Sequence, residues 1–74
     1  MPRLTRDLAG AQPVDTRGNA IGPRVTLLAG TEFVITIPKL KRADDSFDEF
    51  WCEFSVGDQL YRVPLRRLEI ANAA

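Results

Sequence analysis

The chain has 74 residues, 45% of them hydrophobic and 27% charged, the balance of a sequence that folds rather than one that stays disordered. Ten basic and ten acidic side chains give a formal net charge of zero, so the basic surplus of a general polyanion binder is missing and only a local patch could meet nucleic acid. The single cysteine, Cys52, excludes an internal disulfide, a zinc–thiolate cluster and a CxxC redox pair.

At this length one hydrophobic core is expected, either tightly packed or supplemented by oligomerisation. No apolar run approaches the roughly 20 residues of a membrane span. The opening MPRLTRDLAG lacks the apolar centre of a secretory signal. The expectation is a soluble, cytoplasmic protein with no membrane partner.

Residues 1–22 contain Pro2, Gly10, Pro13, Gly18 and Gly22, which interrupt any periodic pattern. They read as a flexible N-terminal arm in which Thr5 could cap one marginal helical turn. Residues 23–71 then form the folded domain, and residues 72–74 a flexible end. VTLL, beginning at Val25, is a short strand candidate, with a turn at Gly30 and Thr31. In EFVITIPKL, period-two alternation sets Phe33, Ile35 and Ile37 on one face and Val34 and Thr36 on the other. Pro38 has no N–H for a sheet ladder and belongs at an edge, a bulge or a strand end. KRADDSFDE reads as a loop. FWCEFSV offers Phe50, Cys52, Phe54 and Val56 as a core face, opposed by Trp51, Glu53 and Ser55. Gly57 and Asp58 suit a tight hairpin into QLYRV. After Pro64, a 3₁₀-like turn over residues 64–67 and a return strand at Leu68–Ile70 are expected.

These elements imply a mainly β fold: a small, partly open antiparallel barrel of four or five strands. The final third, through Tyr61, Val63, Pro64, Leu65, Leu68 and Ile70, resembles small SH3-like barrels, where a hairpin precedes a proline-containing turn and a last strand. An Sm-like variant is the alternative if a helical turn precedes VTLLAGTEFV.

Absence of histidine removes histidine-dependent triads, histidine metal sites and HxE deaminase chemistry. No glycine-rich phosphate loop followed by lysine is present. Cys52, set between Phe50 and Phe54, reads as a buried structural thiol rather than a nucleophile. Asp44, Asp45, Asp48 and Glu49 lack the ligand order and glycine of a calcium loop and read as a solvated turn. Neither a metal nor a cofactor is expected. Basic residues fall in two clusters, Lys39-Lys41-Arg42 and Arg62-Arg66-Arg67, beside the strand aromatics Trp51 and Tyr61.

The preferred reading is a non-enzymatic adaptor or regulatory module that binds protein through Trp51, Tyr61, Arg62, Arg66 and Arg67. One alternative is a nucleic-acid-binding barrel using Lys39, Lys41, Arg42, Arg66 and Arg67. Another is a structural homo-oligomer. A fourth rests on Gln59-Leu60-Tyr61 with Val63 and Leu68, which resembles the late Gln-Ile-Tyr segment of the small plasmid-type dihydrofolate reductases. That resemblance implies a tetramer around a central pore, with Gln59 meeting ligands and Leu60 and Tyr61 lining the cofactor and folate sites.

Overall fold

The computed structural model of the protein describes residues 2–41 and 50–71. Five strands, β1 (Leu8–Val14), β2 (Val25–Leu27), β3 (Val34–Lys41), β4 (Phe50–Val56) and β5 (Gln59–Pro64), precede one helix, α1 (Leu65–Ala71). The strands form an antiparallel sheet in the order β2-β1-β5-β4-β3, with β2 and β3 as its edges. The sheet is not closed into a barrel. At the level of a small, partly open antiparallel β domain the structure is consistent with the SH3-like expectation, and it goes no further.

β4 and β5 are the most regular pair, with six consecutive partners from Trp51↔Pro64 to Val56↔Gln59. Gly57, at φ 60°, and Asp58 form the two-residue connection, a geometry that glycine adopts without a Cβ clash. Strict alternation then sends Cys52, Phe54, Tyr61 and Val63 to one face of the sheet and Trp51, Glu53, Leu60 and Arg62 to the other.

The first face carries the core. Leu4, Leu8, Ala11, Phe33, Cys52, Phe54, Val63, Leu68 and Ala71 are buried together, with Leu27, Val56, Tyr61 and Leu65 packed at their margin. Phe54 is its centre: Phe33 meets it edge-on at 5.9 Å and Tyr61 stacks on it at 5.8 Å between ring centroids. Burying such a phenylalanine contributes about 1.5–3 kcal/mol, against about 0–1 kcal/mol for an exposed ion pair such as Arg3–Glu32.

Three expectations are corrected. Residues 8–14 are not part of an arm: they form β1, hydrogen-bonded between β2 and β5, and the whole opening stretch contributes the buried Leu4, Leu8, Ala11 and Val14. Gly10, at φ 76°, lies in the register shift between Leu8 and Ala11, so a bulge brings both onto the core face, while Val14 is buried on the other face beneath the Asp15–Gly22 loop. The second correction is at Leu68–Ile70, where the helical turn expected after Pro64 continues as α1 instead of giving way to a strand. Leu65, Leu68 and Ala71 recur every three residues toward the core, while Arg66, Arg67 and Glu69 face out. Seven residues make a marginal helix in isolation. Here the carbonyl of Ala71 accepts the backbone N–H groups of Thr5 and Arg6 and the Thr5 hydroxyl, which ties the helix end to the chain start.

The third correction concerns β3. Phe33 and Ile35 do share the core side, but an extra residue at Thr36 shifts the register, and Ile37 pairs with Glu53 on the opposite face. A second shift lies between Ile37 and Leu40, around Pro38, as its missing N–H leads one to expect on an edge strand. The acidic segment with Asp44, Asp45, Asp48 and Glu49, and Arg42, lie outside the described residues.

Candidate interaction site

The second face of the sheet is built row by row from the strand register. Leu40, Trp51 and Pro64 are cross-strand neighbours at one end. The next row is Ile37, Glu53, Arg62 and Gln12, and the third is Val34, Ser55, Leu60 and Val14. Over β1 the Asp15–Gly22 loop folds back onto this face. Val14 bridges Ala20, the Gln12 side chain donates to the carbonyl of Gly22, and Asp15 accepts hydrogen bonds from the backbone N–H groups of Arg17 and Asn19. That last pair holds the Asp15 carboxyl below its ordinary pKa, the Asn19 bond contributing most. α1 and the opening segment pack on the first face; on the second, over β3 and β4, Val34 and Ile37 are exposed, Leu40 and Trp51 half-buried and Glu53 buried.

Trp51 lies half-buried on the second face, with Leu40 and Pro64 beside it. Tyr61 does not join it. Its ring stacks on Phe54 on the core side, so the two aromatics expected to form one binding strip point in opposite directions.

The basic residues divide in the same way. Arg62 shares the face of Trp51, but its guanidinium is tucked beneath the Asp15–Gly22 loop, where a Cβ on Gly18 would collide with it, and its Nε is buried without a hydrogen-bond partner. Arg67, on the helix side, donates from Nη1 to the Ala9 carbonyl and lines a cleft of about 240 Å³ with Arg6, Asp7, Leu8, Ala9 and Ala71. Arg66 is exposed on α1. The Lys39 ammonium lies 4.2 Å above the Phe50 ring, a cation–π contact. Lys41 pairs with Phe50 along the strand. These contacts keep the two clusters apart, Lys39 lying over Phe50 on β4 and Arg67 against Ala9 and Gly10 on β1.

Comparison of the chain with protein-family models, curated proteins and solved structures finds no match. Cys52 is buried, and burial pushes its thiol up to about 11, as suits a packing residue rather than a nucleophile. The Gln59 amide is spent within the fold, donating to the carbonyls of Val14 and Leu60. Leu60 and Tyr61 face opposite sides of the sheet, so the reductase resemblance does not assemble its three residues on one surface. Among the described residues no group of three or more His, Cys, Asp or Glu is arranged to hold a metal ion, and no helix is long and apolar enough to cross a membrane.

Residue-by-residue reading missed Leu40 and Pro64 as neighbours of Trp51 and gave Glu53 no role beyond the polar side of its strand. The signal for Pro64 was present: a two-residue turn at Gly57 and Asp58 sets Val56 opposite Gln59, and counting back pairs Trp51 with Pro64. The same count sets Tyr61 against Phe54. Leu40 was hidden by the irregular register of β3.

Proposed function

We propose that this protein is a non-enzymatic interaction module, of the adaptor or regulatory kind, that binds another protein through the Trp51 end of its second sheet face. Trp51 is the anchor. The observation that carries this reading is the cross-strand row Leu40–Trp51–Pro64, which sets a large, half-buried amphipathic ring among apolar neighbours on the face opposite the core. Such a ring contributes contact area at little entropic cost, and truncating an anchor of this kind typically removes at least about 2 kcal/mol of binding. Exposed charges near such a contact steer encounter and orientation more than they add affinity. Tyr61 belongs to the packing under the sheet rather than to the contact.

Nucleic-acid binding is the second reading, motivated by the lysines of β3 and the exposed arginines of α1. Both are tested by comparing the wild-type chain with Trp51→Ala as immobilised bait, then measuring the affinity of whatever is captured. A protein held at least about tenfold more weakly by a folded Trp51→Ala variant supports the proposal. Unchanged affinity rejects it. Capture of nucleic acid with an affinity that falls steeply with salt would favour the second reading instead.

A further inference from the structure

The Asp15–Gly22 loop lies over a donor that it leaves unpaired. Arg62 Nε is the one buried side-chain nitrogen or oxygen among the described residues that has no hydrogen-bond partner. Its guanidinium packs against Gly18, at φ 84°, so closely that a Cβ there would collide with Nη2. Glu53 stands directly opposite on β4, yet the ion pair among the described residues lies elsewhere, between Arg3 and Glu32. A charged donor taken from water without a partner raises the free energy of the state that buries it. What holds the loop down comes from other groups. The Ile21 amide donates to the Pro13 carbonyl, the Gln12 side chain donates to the Gly22 carbonyl, and Val14 bridges Ala20. Within the loop, the Asp15 side chain accepts from Arg17 and Asn19, and its carbonyl from Gly18. These bonds tie the loop to itself and to the end of β1, and none of them engages Arg62.

We propose that the Asp15–Gly22 loop is a gate over the β1–β5 half of the second face, closing on Arg62 at a cost and opening as a local unit while the sheet stays folded. Opening returns the guanidinium to water, which offsets part of the loss of the bonds to β1. It also uncovers Val14, only 2% exposed when the loop is down, beside Gln12 and Arg62. The gate thus sets how far the accessible part of the second face extends toward β1. It acts whether or not the Trp51 end binds a protein, because the loop, β1 and Arg62 are all that it requires.

Hydrogen exchange in the intact protein, followed by NMR, tests this at two positions, the Nε–H of Arg62 and the backbone amide of Ile21. A gate requires one shared opening. The two positions should show similar protection, greater than that of the Nε–H of the exposed Arg17 and less than that of the β4 and β5 amides. Arg62→Met removes the unpaired donor while keeping a long unbranched side chain, and should slow exchange at Ile21 at least about fivefold, since the closed state then buries no unpaired donor. Exchange at Arg62 as fast as at Arg17 would show that water reaches the donor with the loop down, and exchange only in step with the sheet amides would show that no local opening exists. Either result overturns the gate, and neither needs a variant that folds. An Ile21 rate that is unchanged or raised in a folded Arg62→Met protein would overturn it as well, because the guanidinium would then be supporting the loop.

Discussion

Cys52 shows how one side chain's position decides its chemistry. Flanked in the core by Phe54 and Val63, its thiol is held in the neutral form, with a pKa raised from 9.0 to about 11 chiefly by burial and secondarily by the charge of Glu53. Because the folded value lies above the unfolded one for an acid, the stabilising contribution is complete below pH 9.0 and is lost as pH rises toward about 11, where the unfolded thiolate is favoured. Thermal denaturation of wild type should accordingly lose more midpoint temperature between about pH 8 and about pH 10 than Cys52→Ala does. Equal losses would mean that the thiol titrates alike in both states. In the native protein a bulky thiol reagent should react far more slowly than in denaturant. The burial of Cys52 follows from sequence alternation alone, whereas the position of Arg62 does not, since the pattern places it opposite Glu53 and only the three-dimensional path of the Asp15–Gly22 loop sets its guanidinium against Gly18.

Among the elements, β1 carries the sharpest consequence. Leu→Ala substitutions at buried sites cost about 2–5 kcal/mol, a large share of what a domain of this size has in reserve. Leu8→Ala should therefore lower the urea midpoint substantially, and removal of residues 1–14 should unfold the protein rather than trim it, as circular dichroism would report. A truncated chain with wild-type stability would restore the arm. The hairpin β4–β5 was legible in the sequence because alternation and a glycine turn are local signals. β1 was not, because LAGAQPV has weak strand propensity, its core residues Leu8 and Ala11 are spaced by a bulge at Gly10 rather than by strict alternation, and Val14 is buried on the other face. α1 was missed for a related reason: two turns of helix have little preference of their own, and the contacts that stabilise this helix come from Thr5, Arg6 and the sheet, most of them distant in sequence. Trp51 was legible as an outward residue. Its separation from Tyr61 was also implied by the turn register.

For the molecule as a whole, an open sheet leaves β2 and β3 as edges, and the edge at β3 is apolar on both sides: Val34, Ile35 and Ile37 are 45%, 43% and 36% exposed. With a formal net charge of zero, little long-range repulsion keeps copies apart. The edge is nonetheless blunted. Bulges break its register, Pro38 removes a donor, and Phe33 already donates its N–H to the Pro2 carbonyl. Self-association through β3 should thus be weak, appearing only at high concentration, and Ile35→Lys should raise the solubility limit with no change in fold. A tight wild-type dimer by light scattering would contradict that expectation and assign the exposed strand to a subunit interface. The proposed binding face carries its own reporter, since Trp51 is the one tryptophan of the chain. The deciding measurement is Trp51 emission and its quenching by acrylamide as a captured partner is added. A blue shift with protection from quenching, saturating at the midpoint of binding, is the predicted result. Saturable binding with Trp51 emission and quenching unchanged would contradict it.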